Sequence, residues 1–168
     1  MKKSALVVID LQNDITKNYR GIIAKVNEAI DWAVQKGLHI VYIRHNNLSE
    51  GTRTFKPGTR DAELVPELKA VSDYIFTKSK SNALTSEAFA DFIKEHDIDE
   101  FYIVGADAAA CIKSTCFNMT KRSCRNCLPI MKARDAPLCC FKRLWENEKK
   151  TYIFFAYYIS VFCPSDLL

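Results

Sequence analysis

The chain has 168 residues, 48% of them hydrophobic, enough to bury the core of one ordinary domain without disulfides or metal. Its 24 basic and 20 acidic residues leave a formal charge of +4, and residues 1–123 are nearly balanced, which argues against nucleic acid because that partner needs a concentrated basic face. No apolar run reaches the roughly 18 residues that span a bilayer, MKKSALVVID lacks the apolar core and cleavage site of a signal peptide, and seven cysteines cannot all pair, so a reduced, soluble, cytoplasmic protein is expected.

In chain order, ALVVI (residues 5–9) is a continuous apolar, β-branched run, the pattern of a parallel strand covered on both faces, and Asp10 ends it. Ile22, Ile23, Val26, Ile30, Ala33 and Val34 recur near helical spacing, which predicts a helix over 21–36 stopped by Gly37. HIVYI (39–43) is a second strand. Residues 45–72 lack strong periodicity and read as a long loop with one short helical piece around 66–71, and loops of that length often line a site. A third strand over 74–77 leads to a helix over 85–96, with Ala88, Phe89, Phe92 and Ile93 on one face, and a fourth strand covers 100–104. This alternation predicts an α/β fold, a three-layer αβα sandwich around a mostly parallel sheet, as a single domain over residues 1–168.

In such sheets the ligand crevice lies outside the C-terminal ends of the strands. Asp10, Lys78 and Cys111 each fall at or just beyond such an end. Cys111 stands where the fourth strand breaks at Gly105 and the helix-like run CIKSTCFNMTK begins, and the first turn of a helix favours a thiolate and a neighbouring oxyanion. A carboxylate near a thiol can act as its base, and an ammonium between them keeps the carboxylate ionised. Singly, each residue has a structural reading: a small buried hydrophobe, a helix cap, a solvated lysine. Their joint placement points to a hydrolase with a cysteine nucleophile.

VVIDLQND, KSKSNAL (78–84), VGADAAACIKSTCFNMTKR and GTRDAELVPEL (58–68) together resemble the isochorismatase-like cysteine hydrolases, which include nicotinamidases and related amidohydrolases. The resemblance covers about residues 4–123. It implies a triad in which Asp10 draws the proton from Cys111 and Lys78 holds the charge balance, with attack on a small-molecule amide and a thioester intermediate. It also implies an oxyanion hole of the Asp107 and Cys111 backbone amides, a cis peptide joining Ala106 and Asp107, and a homo-oligomer. Asp107 is an unusual residue at that position, either turned away or selecting a cationic substrate group. Nicotinamidases of this family carry a metal site written Asp-x-His with a second His beyond it; the chain has only His39, His45 and His96 without that spacing, so neither metal nor cofactor is expected. His45 reads as a solvated strand terminus in preference to a pocket residue.

After Ser123 the sequence departs from the family's pattern, through divergence or through a reading-frame change. Residues 124–168 hold five cysteines (Cys124, Cys127, Cys139, Cys140, Cys163), a candidate helical face at Leu138, Phe141, Leu144 and Trp145, and a candidate buried strand over 152–162. Adjacent Cys139 and Cys140 splay apart in regular structure, which disfavours zinc. The reading from a different class is a catalytically silent binding protein of the same fold whose altered tail blocks the pocket.

Overall fold

A computed structural model describes residues 3–17, 20–123 and 152–153. Five parallel strands form one sheet in the order β3-β2-β1-β4-β5: β1 Lys3–Ile9, β2 His39–His45, β3 Ile75–Lys78, β4 Ile98–Gly105 and β5 Tyr152–Ile153. A short helical turn α1 (Asn13–Thr16) and the helix α2 (Gly21–Gln35) connect β1 to β2, α3 (Glu87–Glu95) precedes β4, and α4 (Lys113–Ser123) follows it.

The pleat of β1 explains the three layers. Ala5, Val7 and Ile9 face one side, where Phe89 and Phe92 of α3 and Cys116 and Met119 of α4 cover them. Leu6 and Val8 face the other, under Ile23, Val26, Ile30 and Ala33 of α2, whose spacing makes one helical stripe. Because residues 5–9 of β1 are buried on both faces, that stretch is continuously apolar instead of alternating. Gly37, at φ +67, ends α2, with its N–H and that of Leu38 bonded to the carbonyls of Val34 and Ala33.

The fold class and four strands follow the sequence expectation, and two local expectations need correction. The segment around Pro66 to Val71 is not helical; the helical turn in this loop is at Arg60–Ala62. Its backbone groups are taken up elsewhere: Lys69 N–H donates to Asn27 Oδ1 (2.9 Å), and Tyr42 Oη donates to Lys69 O while accepting from Val71 N–H. The helix expected from Thr85 begins at Glu87, after a tight turn over Ala83–Thr85 that Asn82 caps through Leu84 N–H. The tail's cysteines, its candidate helical face and most of its candidate strand lie outside the described residues; Tyr152 and Ile153 pair with Tyr102 and Ile103. Among the described residues no helix is long and apolar enough to cross a membrane.

Candidate functional site

Helices α2 and α3 lie on opposite faces, so the strand order reverses direction beside β1, and the C-terminal ends of β1 and β4 flank a topological switch point. The two ends are held close by backbone bonds. Ala106 N–H donates to Ile9 O (2.9 Å) and Asp10 N–H to Ile43 O (2.9 Å). Gly105 permits this approach: its φ is +139, and a Cβ there would stand 2.0 Å from Ile9 O. Asp10 then leaves β1 in the left-handed region at φ 56, a conformation a short polar side chain tolerates better than most.

The structure brings Asp10, Lys78 and Cys111 together. Lys78 Nζ donates to Asp10 Oδ2 at 2.9 Å and to Cys111 Sγ at 3.2 Å. Lys78 and Asp10 are each 1% exposed. A buried ion pair of this kind is held by geometry, since each charge has lost its water. Asp10 Oδ1, also buried, has no hydrogen-bond partner among the described residues.

The expected thiolate is a correction. Burial chiefly, then the Asp10 carboxylate, push the Cys111 thiol up to about 12, and Lys78 opposes them only in part. The resting group is a thiol. Cys111 also does not open a regular helix: it lies in a wide turn over Ala108–Ile112, in which Ile112 N–H reaches Asp107 O five residues back (3.2 Å), and α4 starts at Lys113. Ala110 N–H reaches the same carbonyl.

No cis peptide occurs among the described residues, so the expected Ala106–Asp107 cis bond is trans. The chain makes its reversal instead with Asp107 in the left-handed region, φ 60 and ψ 65. The Asp107 side chain is exposed and accepts from Ala110 N–H at 3.1 Å, capping the wide turn. That assigns the unusual residue a local job.

Two further residues belong to the site that sequence reasoning placed elsewhere or passed over. His45, read as a solvated terminus, is half-buried with Nδ1 3.1 Å from Lys78 Nζ. Its ring meets Phe55 edge-on at 5.3 Å. Gln12, fully buried, donates to His45 O (2.8 Å) and Ala62 O (2.6 Å) and accepts from His45 N–H (2.7 Å), pinning the end of β2. Its signal was its polarity inside VVIDLQND, directly after the Asp10 strand. Thr115 Oγ1 accepts from Ala83 N–H (3.0 Å) and ties the lysine loop to α4. Among the described residues no group of three or more His, Cys, Asp or Glu is arranged to hold a metal ion.

Comparison with known proteins identifies the family and the fold. The isochorismatase domain pattern matches residues 4–128. A protein of Arabidopsis thaliana bearing the name "probable inactive nicotinamidase" is 27% identical over 142 residues, 70% of this chain and 72% of its own. Among solved structures, the N-carbamoylsarcosine amidase of Thermoplasma acidophilum is similar with a TM-score of 0.66 at 20% identity, covering 73% of this chain and 79% of its own. A cysteine hydrolase of Pseudomonas syringae pv. phaseolicola is similar at 0.64 with 17% identity, covering 71% and 67%. Since the matched stretch runs through Asp10, His45, Lys78 and Cys111 on a sheet of the same architecture, the chain belongs to the isochorismatase family of hydrolase folds.

Proposed function

We propose that this chain is a cysteine hydrolase that cleaves a C–N bond of a small, non-peptide amide through a thioester on Cys111. The observation that carries the reading is the Lys78 ammonium, buried between Asp10 Oδ2 and Cys111 Sγ at 2.9 and 3.2 Å. A thiol that is protonated at rest, beside a carboxylate with an open oxygen, fits transfer of the proton during attack instead of before it.

In this mechanism Sγ attacks the carboxamide carbon as its proton moves to Asp10. The oxyanion is held by the Asp107 and Cys111 amides. Asp10 returns the proton to the leaving nitrogen, the C–N bond breaks, and ammonia or an amine departs. Water, deprotonated by Asp10, attacks the thioester; the acid is released and Sγ regains its proton. Lys78 holds Asp10 as a carboxylate until it takes the thiol proton, and shields the negative charge that develops. A homo-oligomer in the cytoplasm belongs to the same reading.

A catalytically silent protein of the same fold is the second reading, favoured by the word "inactive" in the Arabidopsis relative's name. The two separate in one experiment. Ammonia release over a panel of small amides is measured for the wild type, with Cys111→Ala as the blank. Release by the wild type alone supports the hydrolase, and equal release by both refutes it. Sub-stoichiometric iodoacetamide supplies a substrate-independent check: a Cys111 whose proton Asp10 takes during attack labels faster than Cys116.

A further inference from the structure

Lys78 Nζ carries three N–H bonds and no lone pair as an ammonium, and it has three neighbours at hydrogen-bond distance: Asp10 Oδ2 at 2.9 Å, Cys111 Sγ at 3.2 Å and His45 Nδ1 at 3.1 Å. The third contact is a hydrogen bond only if Nδ1 offers a lone pair. That requires a neutral imidazole with its proton on Nε2. A protonated ring would have no acceptor there and would set a second cation against Lys78.

His45 is also held through its backbone and against one edge of its ring. Gln12 grips its backbone N–H and C=O, at 2.7 and 2.8 Å. Phe55 meets its ring edge-on, and Phe55 is itself in the left-handed region at φ 51, a costly conformation for a bulky residue. Two hydrogen bonds keep it there: Phe55 N–H donates to Asp14 Oδ2 (2.9 Å), and Asn47 N–H donates to Phe55 O (3.0 Å). A strained aromatic clamped against one histidine ring is more than a solvated terminus needs.

We propose that His45 is a positioning residue of this site: its neutral imidazole, accepting through Nδ1, aims the Lys78 ammonium at Asp10 and Cys111, and protonation of that imidazole disarms the site. The consequence for Cys111 rests on the reading of that residue as the nucleophile. The charged groups acting on the ring are Lys78 from β3 and Asp10 from the end of β1. Burial first, then Lys78, hold His45 below its ordinary range against a smaller opposing pull from Asp10, which keeps it neutral at physiological pH.

The test uses the full chain labelled with ¹⁵N. Nitrogen-detected NMR of the imidazoles near pH 8, with His45 assigned by comparison with His45→Asn, should show the proton on Nε2 and a bare Nδ1. A proton on Nδ1 would overturn the proposal. In parallel, iodoacetamide labelling of Cys111 is followed from about pH 8 to about pH 5. Wild-type labelling should show an acid limb with a midpoint below 6.5, the ordinary histidine value. His45→Leu, which removes the acceptor, should label about tenfold more slowly near pH 8, the loss expected for one hydrogen bond to a charged group. His45→Asn, whose Oδ1 sits where Nδ1 does but does not titrate, should recover most of that rate and lose the acid limb. Wild-type speed in His45→Leu, or an unchanged acid limb in His45→Asn, would refute the positioning role. If wild-type Cys111 labels no faster than Cys116, the nucleophile reading fails instead, and the proton position on the ring still decides whether His45 serves Lys78.

Discussion

Replacing Lys78 with methionine keeps most of the side chain's length and removes its charge, leaving Asp10 1% exposed with Oδ2 stripped of its ammonium and Oδ1 already without a donor. Breaking a buried pair from one side leaves an uncompensated charge and costs about 3–5 kcal/mol. Against the roughly 5–15 kcal/mol that holds an ordinary domain together, that is a large fraction. For a chain of this size it corresponds to a fall in Tm of roughly 6–20 °C. The assay is urea unfolding near pH 8 for the wild type, Lys78→Met, Asp10→Asn and the double variant. The double variant should be more stable than Lys78→Met, since it no longer buries a lone carboxylate. A loss under about 1 kcal/mol, the size of an exposed pair, would refute the buried-pair argument, as would a double variant no better than the single.

Gly105→Ala should be among the most damaging single changes in the described part of the chain, because its Cβ would overlap Ile9 backbone atoms at 2.0–2.8 Å; a variant with unchanged thermal midpoint would contradict the packing. Gln12→Leu leaves the amide and carbonyl of His45 and the carbonyl of Ala62 without their partner, at about 1–3 kcal/mol for each buried group, read from urea midpoints. It should also slow Cys111 labelling by releasing the end of β2, and wild-type labelling in that variant would separate Gln12 from the site. Cys111 and Cys116 are both pushed up to about 12 from an ordinary 9.0, chiefly by burial. Raised values favour the protonated fold, so their contribution is complete below pH 9 and is lost as pH rises through about 12. Stability should therefore fall with pH above 9, and less steeply in Cys116→Ala; equal slopes would place the alkaline loss elsewhere.

The strand of Asp10 is readable because burial on both faces makes residues 5–9 of β1 apolar without a break, and the stripe of Ile23, Val26 and Ile30 because a helix repeats its buried face every turn. The segment after Pro66 was misread because its polar partners, Asn27 and Tyr42, come from elements far along the chain. His45 was misread for the same reason: nothing in its neighbours predicts a lysine 33 residues away at its Nδ1.

The sequence by itself determined the order of elements, the parallel sheet, and which strand ends carry a carboxylate, an ammonium and a thiol. Those properties follow from local apolar periodicity and from residue identity at the places where it stops. Only the tertiary structure decided the state of the site. The thiol is held protonated because burial and a carboxylate 101 positions earlier in the numbering outweigh one ammonium. The reversal before it runs through a left-handed Asp107 and a trans peptide. The ammonium has a third partner in His45. Each depends on distances between groups that the sequence separates, Lys78 and Asp10 by 68 residues, and charge and hydrogen bonding are set by those distances.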